Sequence, residues 1–389
     1  MSWDPCRVGM RGATSIAAVG LVIGVAVGCS SDEETRRPEP SLPSPVPDAT
    51  MNLSQPRAVH LATRLPDGRI LITGGCTLPG CEGFEEGRRS ELFDPRQDGF
   101  LPGPTMATPR ANGTATLLAD GRVLVAGGYP GEGQAPTAHA ELFDPEANRF
   151  EPIDDMAHGR AGHTATLLPD GRVILCGGVG ADGEPLDSTE IFDPSSNTFS
   201  PGPRLSEPRA AHVAVRLGDR LILIGGERDS RALSTTDVLT DMEWTPGPTL
   251  RVPRVKHAAV ALPDGRILVV GGAINTEGRH RLSSTELIDL ASGRVDDGPR
   301  LSEGMYKLDG AVTSLSDGRV VIAGGTHLDV FDPQTNAIGR LDRPVVPRLS
   351  FATATALGGL RVLLAGGYDD LIDPTASARI VTIPRRTVD

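Results

Sequence analysis

The stretch His163–Gly178, HTATLLPDGRVILCGG, decides the fold. It reads as two short apolar strands joined at Asp170-Gly171. An Asp-Gly pair between apolar runs is a strong hairpin signal, because a type I′ turn needs positive φ at both central positions. The stretch closes on Gly177-Gly178, and a Gly-Gly pair closes an apolar run again at 74–75, 127–128, 225–226, 271–272, 324–325 and 366–367. Successive pairs lie 53, 50, 48, 46, 53 and 42 residues apart, about 49 on average. The turn recurs as Asp67-Gly68, Asp120-Gly121, Asp264-Gly265 and Asp317-Gly318, inverted as Gly218-Asp219 and replaced by Gly358-Gly359. The chain therefore repeats one unit seven times.

Each unit continues in the same way. A third strand ends in Phe-Asp-Pro at 93–95, 143–145, 192–194 and 331–333, with Ile372-Asp373-Pro374 as a near variant and Ile288-Asp289-Leu290 and Thr240-Asp241 as weaker ones. Proline there stops the strand and opens a turn. A fourth strand follows, such as Asn197–Ser200. Four antiparallel strands per copy make a propeller blade. The expected fold is all-β, a seven-bladed β-propeller over residues 54–389, with a six-bladed ring less favoured. Seven complete units need no strand exchange to close. Glycine at 47 residues, proline at 33 and aromatics at 4% fit such a turn-rich β protein.

The units resemble kelch repeats, whose period is roughly 50 against roughly 40–45 for WD40 repeats. No Trp-Asp or Gly-His signature recurs. Kelch units commonly carry Tyr in the second strand and Trp in the fourth. Here the second strands are Val, Ile and Leu, only Trp244 stands in a fourth strand, and Phe100, Phe150 and Phe199 take that place elsewhere. Apolar volume is kept, so the fold tolerates the change. The galactose-oxidase central domain is a similar propeller. That resemblance implies, as an alternative, a carbohydrate-active copper oxidase using two Tyr, two His and a Cys. This chain has only Tyr129, Tyr306 and Tyr368, none next to a His.

Counting ten residues back from each turn gives Arg57, Arg110, Arg160, Arg209, Arg254 and Lys307, with Arg348 in the last unit. A carboxylate recurs on the third strands: Glu91, Glu141, Glu190, Asp237, Glu286, Asp329 and Asp370. Buried charges are tolerable only when paired, so one structural ion pair per blade is expected. An active site does not repeat sevenfold. His60, His163, His212 and His257 share another repeat place, filled by Gly113, Gly310 and Phe351 in the remaining units; repetition favours packing over a metal ring. Cys176 reads as a small apolar core residue. Cys76 and Cys81 bracket one loop and suit a disulfide in an oxidising compartment. No catalytic cluster outside the repeat, metal motif or cofactor fingerprint is present, so a binding module rather than an enzyme is expected.

Recognition would fall to the loops between second and third strands, which look long in blades one to five and trimmed in six and seven. The candidate ligand face is Phe84, Arg88, Arg89, Tyr129, Arg228, Arg231, Arg279 and His280. The net charge of −12 argues against nucleic acid. Arg7 and Arg11 followed by an uncharged run to Gly28 read as a secretory signal over 1–28. Ala26-Val27-Gly28-Cys29 resembles a bacterial lipobox, which implies acylation of Cys29 and an anchor in the lipid bilayer, with Ser30 and Ser31 pointing to the outer membrane; a soluble periplasmic or secreted protein is the alternative. Residues 29–53 carry several prolines and are expected to be a tether outside any sheet. A monomer that binds an envelope or extracellular protein or glycan is the resulting expectation.

Overall fold

The computed structural model describes residues 41–42, 49–344, 350–369 and 371–386. It is all-β, with seven four-stranded antiparallel blades around a central axis. Blade 3 shows the plan: Thr164–Leu167, Val173–Cys176, Thr189–Asp193 and Thr198–Pro201, in that order from axis to rim. The first strands of blades 1 to 7 are Leu61–Arg64, Thr114–Leu117, Thr164–Leu167, Val213–Leu217, Ala258–Ala261, Val312–Ser314 and Thr353–Gly358.

The second strands read as unbroken apolar runs because both of their faces are covered. Val173 and Leu175 pack toward blade 2, against Leu124, Ala126 and Leu142. Ile174 and Cys176 pack toward blade 4, against Leu221, Leu223 and Leu239. The core is thus a series of junctions between blades. Third-strand and fourth-strand phenylalanines add tilted pairs at the rim, Phe93–Phe100, Phe143–Phe150 and Phe192–Phe199, with centroids 5.3, 5.1 and 5.1 Å apart. Trp244 keeps its indole N–H satisfied by donating to the Pro203 carbonyl at 3.1 Å.

The hairpin turn differs from the expected type I′. In blade 3 Gly171 N–H donates to the Leu168 carbonyl, Gly171 has φ +88°, and Asp170 does not have positive φ. Pro169 sits at the second turn position, where its fixed φ suits a type I turn followed by a left-handed glycine. The Asp170 carboxylate accepts the Arg172 backbone N–H and so holds the turn.

Blade 7 departs most from the sequence reading. Ile372-Asp373-Pro374 does not end its third strand; it lies in the loop, and the third strand is Ser377–Thr382. The fourth strand comes from the N-terminal side of the ring. Ala49–Asn52 supplies it, pairing antiparallel as Ala49↔Ile380, Thr50↔Arg379, Met51↔Ala378 and Asn52↔Ser377. The propeller therefore starts before residue 54 and closes by strand exchange. Residues 49–52 contain no proline, whereas the prolines of the segment precede them, so this stretch is free to donate to a ladder. Ser41–Leu42 also pairs, in parallel, with the outer strand of blade 6. The proposed signal, Cys29 and most of the tether lie outside the described residues, as do Arg348 and Asp370.

Candidate functional site

Two features of the repeat are scaffold. In blades 1 to 5 a buried guanidinium meets the third-strand carboxylate of its own blade: Arg57–Glu91 at 3.2 Å, Arg110–Glu141 at 2.8 Å, Arg160–Glu190 at 2.8 Å, Arg209–Asp237 at 3.1 Å and Arg254–Glu286 at 2.7 Å. Each arginine also donates to the first glycine carbonyl of its Gly-Gly pair, as Arg110 does to Gly127 at 2.8 Å. The carboxylate accepts backbone N–H groups from the segment entering the blade, Ala157 and His158 for Glu190. One cluster thus fastens three connections.

Blade 6 breaks the pattern. Met305, not Lys307, occupies the arginine place, since its carbonyl accepts the Gly272 N–H just as the Arg254 carbonyl accepts that of Gly226. Lys307 instead lies with Nζ 5.7 Å from the Tyr306 ring centre and 5.0 Å from that of Phe351. Asp329 accepts the Ser302 N–H at 2.8 Å. In blade 7 Arg379 faces Leu364, the register position that Glu190 holds opposite Leu175.

The histidines bridge blades. His60, His163 and His212 each place Nε2 3.0 Å from a threonine hydroxyl of the preceding blade, Thr353, Thr114 and Thr164. Burial first, and the neighbouring arginines second, hold His60 and His257 down at about 3 and His163 and His212 well below the usual histidine range. They are neutral at physiological pH. Leu308 takes this place in blade 6, against Gly271, where four other blades put His60, His163, His212 and His257 against Gly366, Gly127, Gly177 and Gly225. In blade 7 Thr353 pairs with Ala365 as Thr164 pairs with Cys176, so Ala352 rather than Phe351 holds the histidine place.

At the start of the first strands, backbone groups form a collar around one channel mouth. Gly162 N–H donates to Asn112, Ala211 to Gly162, Lys256 to Ala211, Lys307 to Lys256 and Phe351 to Lys307, at 2.9 to 3.3 Å. The collar residues sit at positive φ, as shown by Asn112 (+60°), Lys256 (+52°) and Lys307 (+61°). Below it runs a channel of about 450 Å³ lined by the first strands, including Thr63, Thr116, Thr166 and Thr355.

The second-to-third loops surround this mouth. They occupy residues 74–88, 127–139, 177–188, 225–235, 271–284, 323–326 and 366–376 between strand ends. Only blade 6 is trimmed; the loop of blade 7 is long, because its third strand begins later than Ile372-Asp373-Pro374 suggested. Cys76 and Cys81 are joined by a disulfide in the first loop. Phe84 opens a short helix, Phe84–Gly87, and packs half-buried beside Cys81, Phe351 and Tyr368. Arg88 and Arg89 pair with Glu85 and Glu86 at 3.4 and 3.3 Å, Arg228 with Glu207 at 3.2 Å, and Arg279 with Glu277 at 2.6 Å. Arg231 and His280 are exposed. Tyr129 is buried at the Ala111 bridge and belongs to the scaffold, not to the loop tips. Exposed apolar side chains, absent from the sequence-based list, stand on the same face: Leu78, Ile274, Leu371 and Ile372.

Residues 160–206 match the family described as Kelch motif. A comparison with curated proteins finds no match. Among solved structures, the one titled "Structure of YjhT" is similar with a TM-score of 0.58 at 14% identity, over 85% of this chain and 96% of that one. The sequence period and the blade geometry agree that the chain is a seven-bladed β-propeller, and residues 160–206, its third unit, match the kelch motif.

Proposed function

We propose that this propeller is a non-enzymatic binding module that captures an exported protein on its loop face. A kelch propeller suggests an interaction module in general. The observation that carries the finer reading is where exposed apolar area falls. Of the five large hydrophobic side chains left exposed among the described residues, Leu78, Ile274, Leu371 and Ile372 are on second-to-third loops and Leu101 is elsewhere. Leu371 is 80% exposed, at the tip of the blade 7 loop beside that of blade 1. Ile372 holds φ +65°, a backbone state that β-branched residues rarely adopt. Strain and exposed apolar area on a rigid scaffold mark recognition surfaces. Arg231 and His280 would supply a polar rim. Acylation of Cys29 at the lipobox is part of the proposal, and the mass of the N-terminal peptide tests it.

The test is capture on arrays of envelope proteins and, separately, of glycans. The purified chain is compared with a Leu78→Asp/Leu371→Asp variant, whose fold should be unaltered because both side chains are exposed. The expected result is saturable capture of a defined protein, weakened at least tenfold in the variant. Undiminished capture by the variant, or capture of glycans alone, would overturn the reading.

A further inference from the structure

The channel carries a second, independent feature that the repeat does not explain. Between Leu308 and Ala311, blade 6 inserts Asp309 and Gly310, where the other blades pass directly from the histidine place to the first strand. The insertion puts the Asp309 side chain into the channel wall. It is open to the channel's solvent but surrounded by protein, and burial raises its carboxyl above the usual carboxylate range. Among the described residues no hydrogen bond or ion pair compensates it.

The rest of the lining fixes the electrostatics. Among the described residues that line the cavity there is no Lys, Arg or second acid, and the histidines there are His60, His163 and His212, which burial keeps neutral. Among the described residues that line the cavity, Asp309 is the only one with a formal charge, while Lys256 and Lys307 stand in the collar at its mouth. The threonine hydroxyls at 114, 164 and 353 each spend one hydrogen-bonding position on a histidine and keep others for the channel. The volume lies within the roughly 300–1,000 Å³ of small-molecule sites.

We infer that the central channel binds a small hydroxylated ammonium compound, of amino-sugar or amino-alcohol type, with its cationic nitrogen on Asp309 and its hydroxyls on the threonines of the first strands. The inference does not depend on the loop-face reading: it uses a different surface and different residues. D-glucosamine is the probe and D-glucose its neutral counterpart, titrated calorimetrically into the full chain at about pH 6, where a primary amine is protonated. Saturable one-to-one binding of glucosamine is expected, with glucose at least tenfold weaker. Asp309→Asn should weaken glucosamine at least tenfold while unfolding at the same or a higher temperature, because it removes an uncompensated charge. Thr166→Val, a second variant away from the insertion, should weaken it severalfold. Absence of saturable binding, equal binding of glucose, or unchanged binding by folded Asp309→Asn would overturn the inference.

Discussion

Replacing Glu190 by alanine is expected to cost about 3–5 kcal/mol of folding stability, the range for breaking a buried ion pair by removing one partner. Arg160 and Glu190 are both buried, and the carboxylate also accepts the Ala157 and His158 N–H groups at 2.7 and 3.1 Å. The alanine variant strands a guanidinium and two backbone donors together. A loss of that size is a large share of the 5–15 kcal/mol typical of folded domains. Arg160→Met should be milder, because it recreates what blade 6 already carries, Met305 beside an acid that still receives a backbone N–H. The double variant Arg160→Met/Glu190→Leu should recover part of the loss, since neither charge is then left unpaired. Urea unfolding of the three variants and the parent gives the comparison. A Glu190→Ala loss below about 1 kcal/mol would mean that the pair is not buried as described.

A chain beginning at residue 54 should suffer more. Leu53 and Met51 pack with Ile70, Phe93, Leu363 and Ile380 across the junction of blades 7 and 1. Burying such side chains is worth about 1.5–3 kcal/mol each, and each lost ladder hydrogen bond about 1 kcal/mol more. The truncation also bares the edge of Ser377–Thr382, a template for pairing with other chains. The expected outcome is a chain that unfolds at markedly lower denaturant or aggregates, whereas one beginning at residue 49 keeps most of the parent's stability. Equal stability of the two truncations would exclude closure by Ala49–Asn52.

The fold was legible because glycine pairs, turns and apolar runs recur at a spacing that packing enforces in every blade. The five Arg–carboxylate pairs were legible for the same reason. What escaped were departures from the repeat. Ile372-Asp373-Pro374 imitates the end of a third strand, so the blade 7 loop was read as short and the exchanged strand was missed. Distance from the turn aligned Lys307 with the arginines, because the inserted Asp309-Gly310 cannot be seen in a count that starts beyond it. That same insertion hid Asp309, the carboxylate that lines the channel. Tyr129 looked like a loop residue, and only the bridge to Ala111 shows it turned into the scaffold.

Closure of the ring by its own N-terminal segment is tested most directly by a Thr50→Cys/Arg379→Cys variant. These residues are register partners, and antiparallel partners lie about 4.5–5.5 Å apart between Cα atoms, within disulfide range. Mild oxidation followed by peptide mass mapping should find the two peptides joined within one chain and the folded ring stabilised. A folded variant in which residue 50 stays unlinked, or links only between chains, would contradict the account.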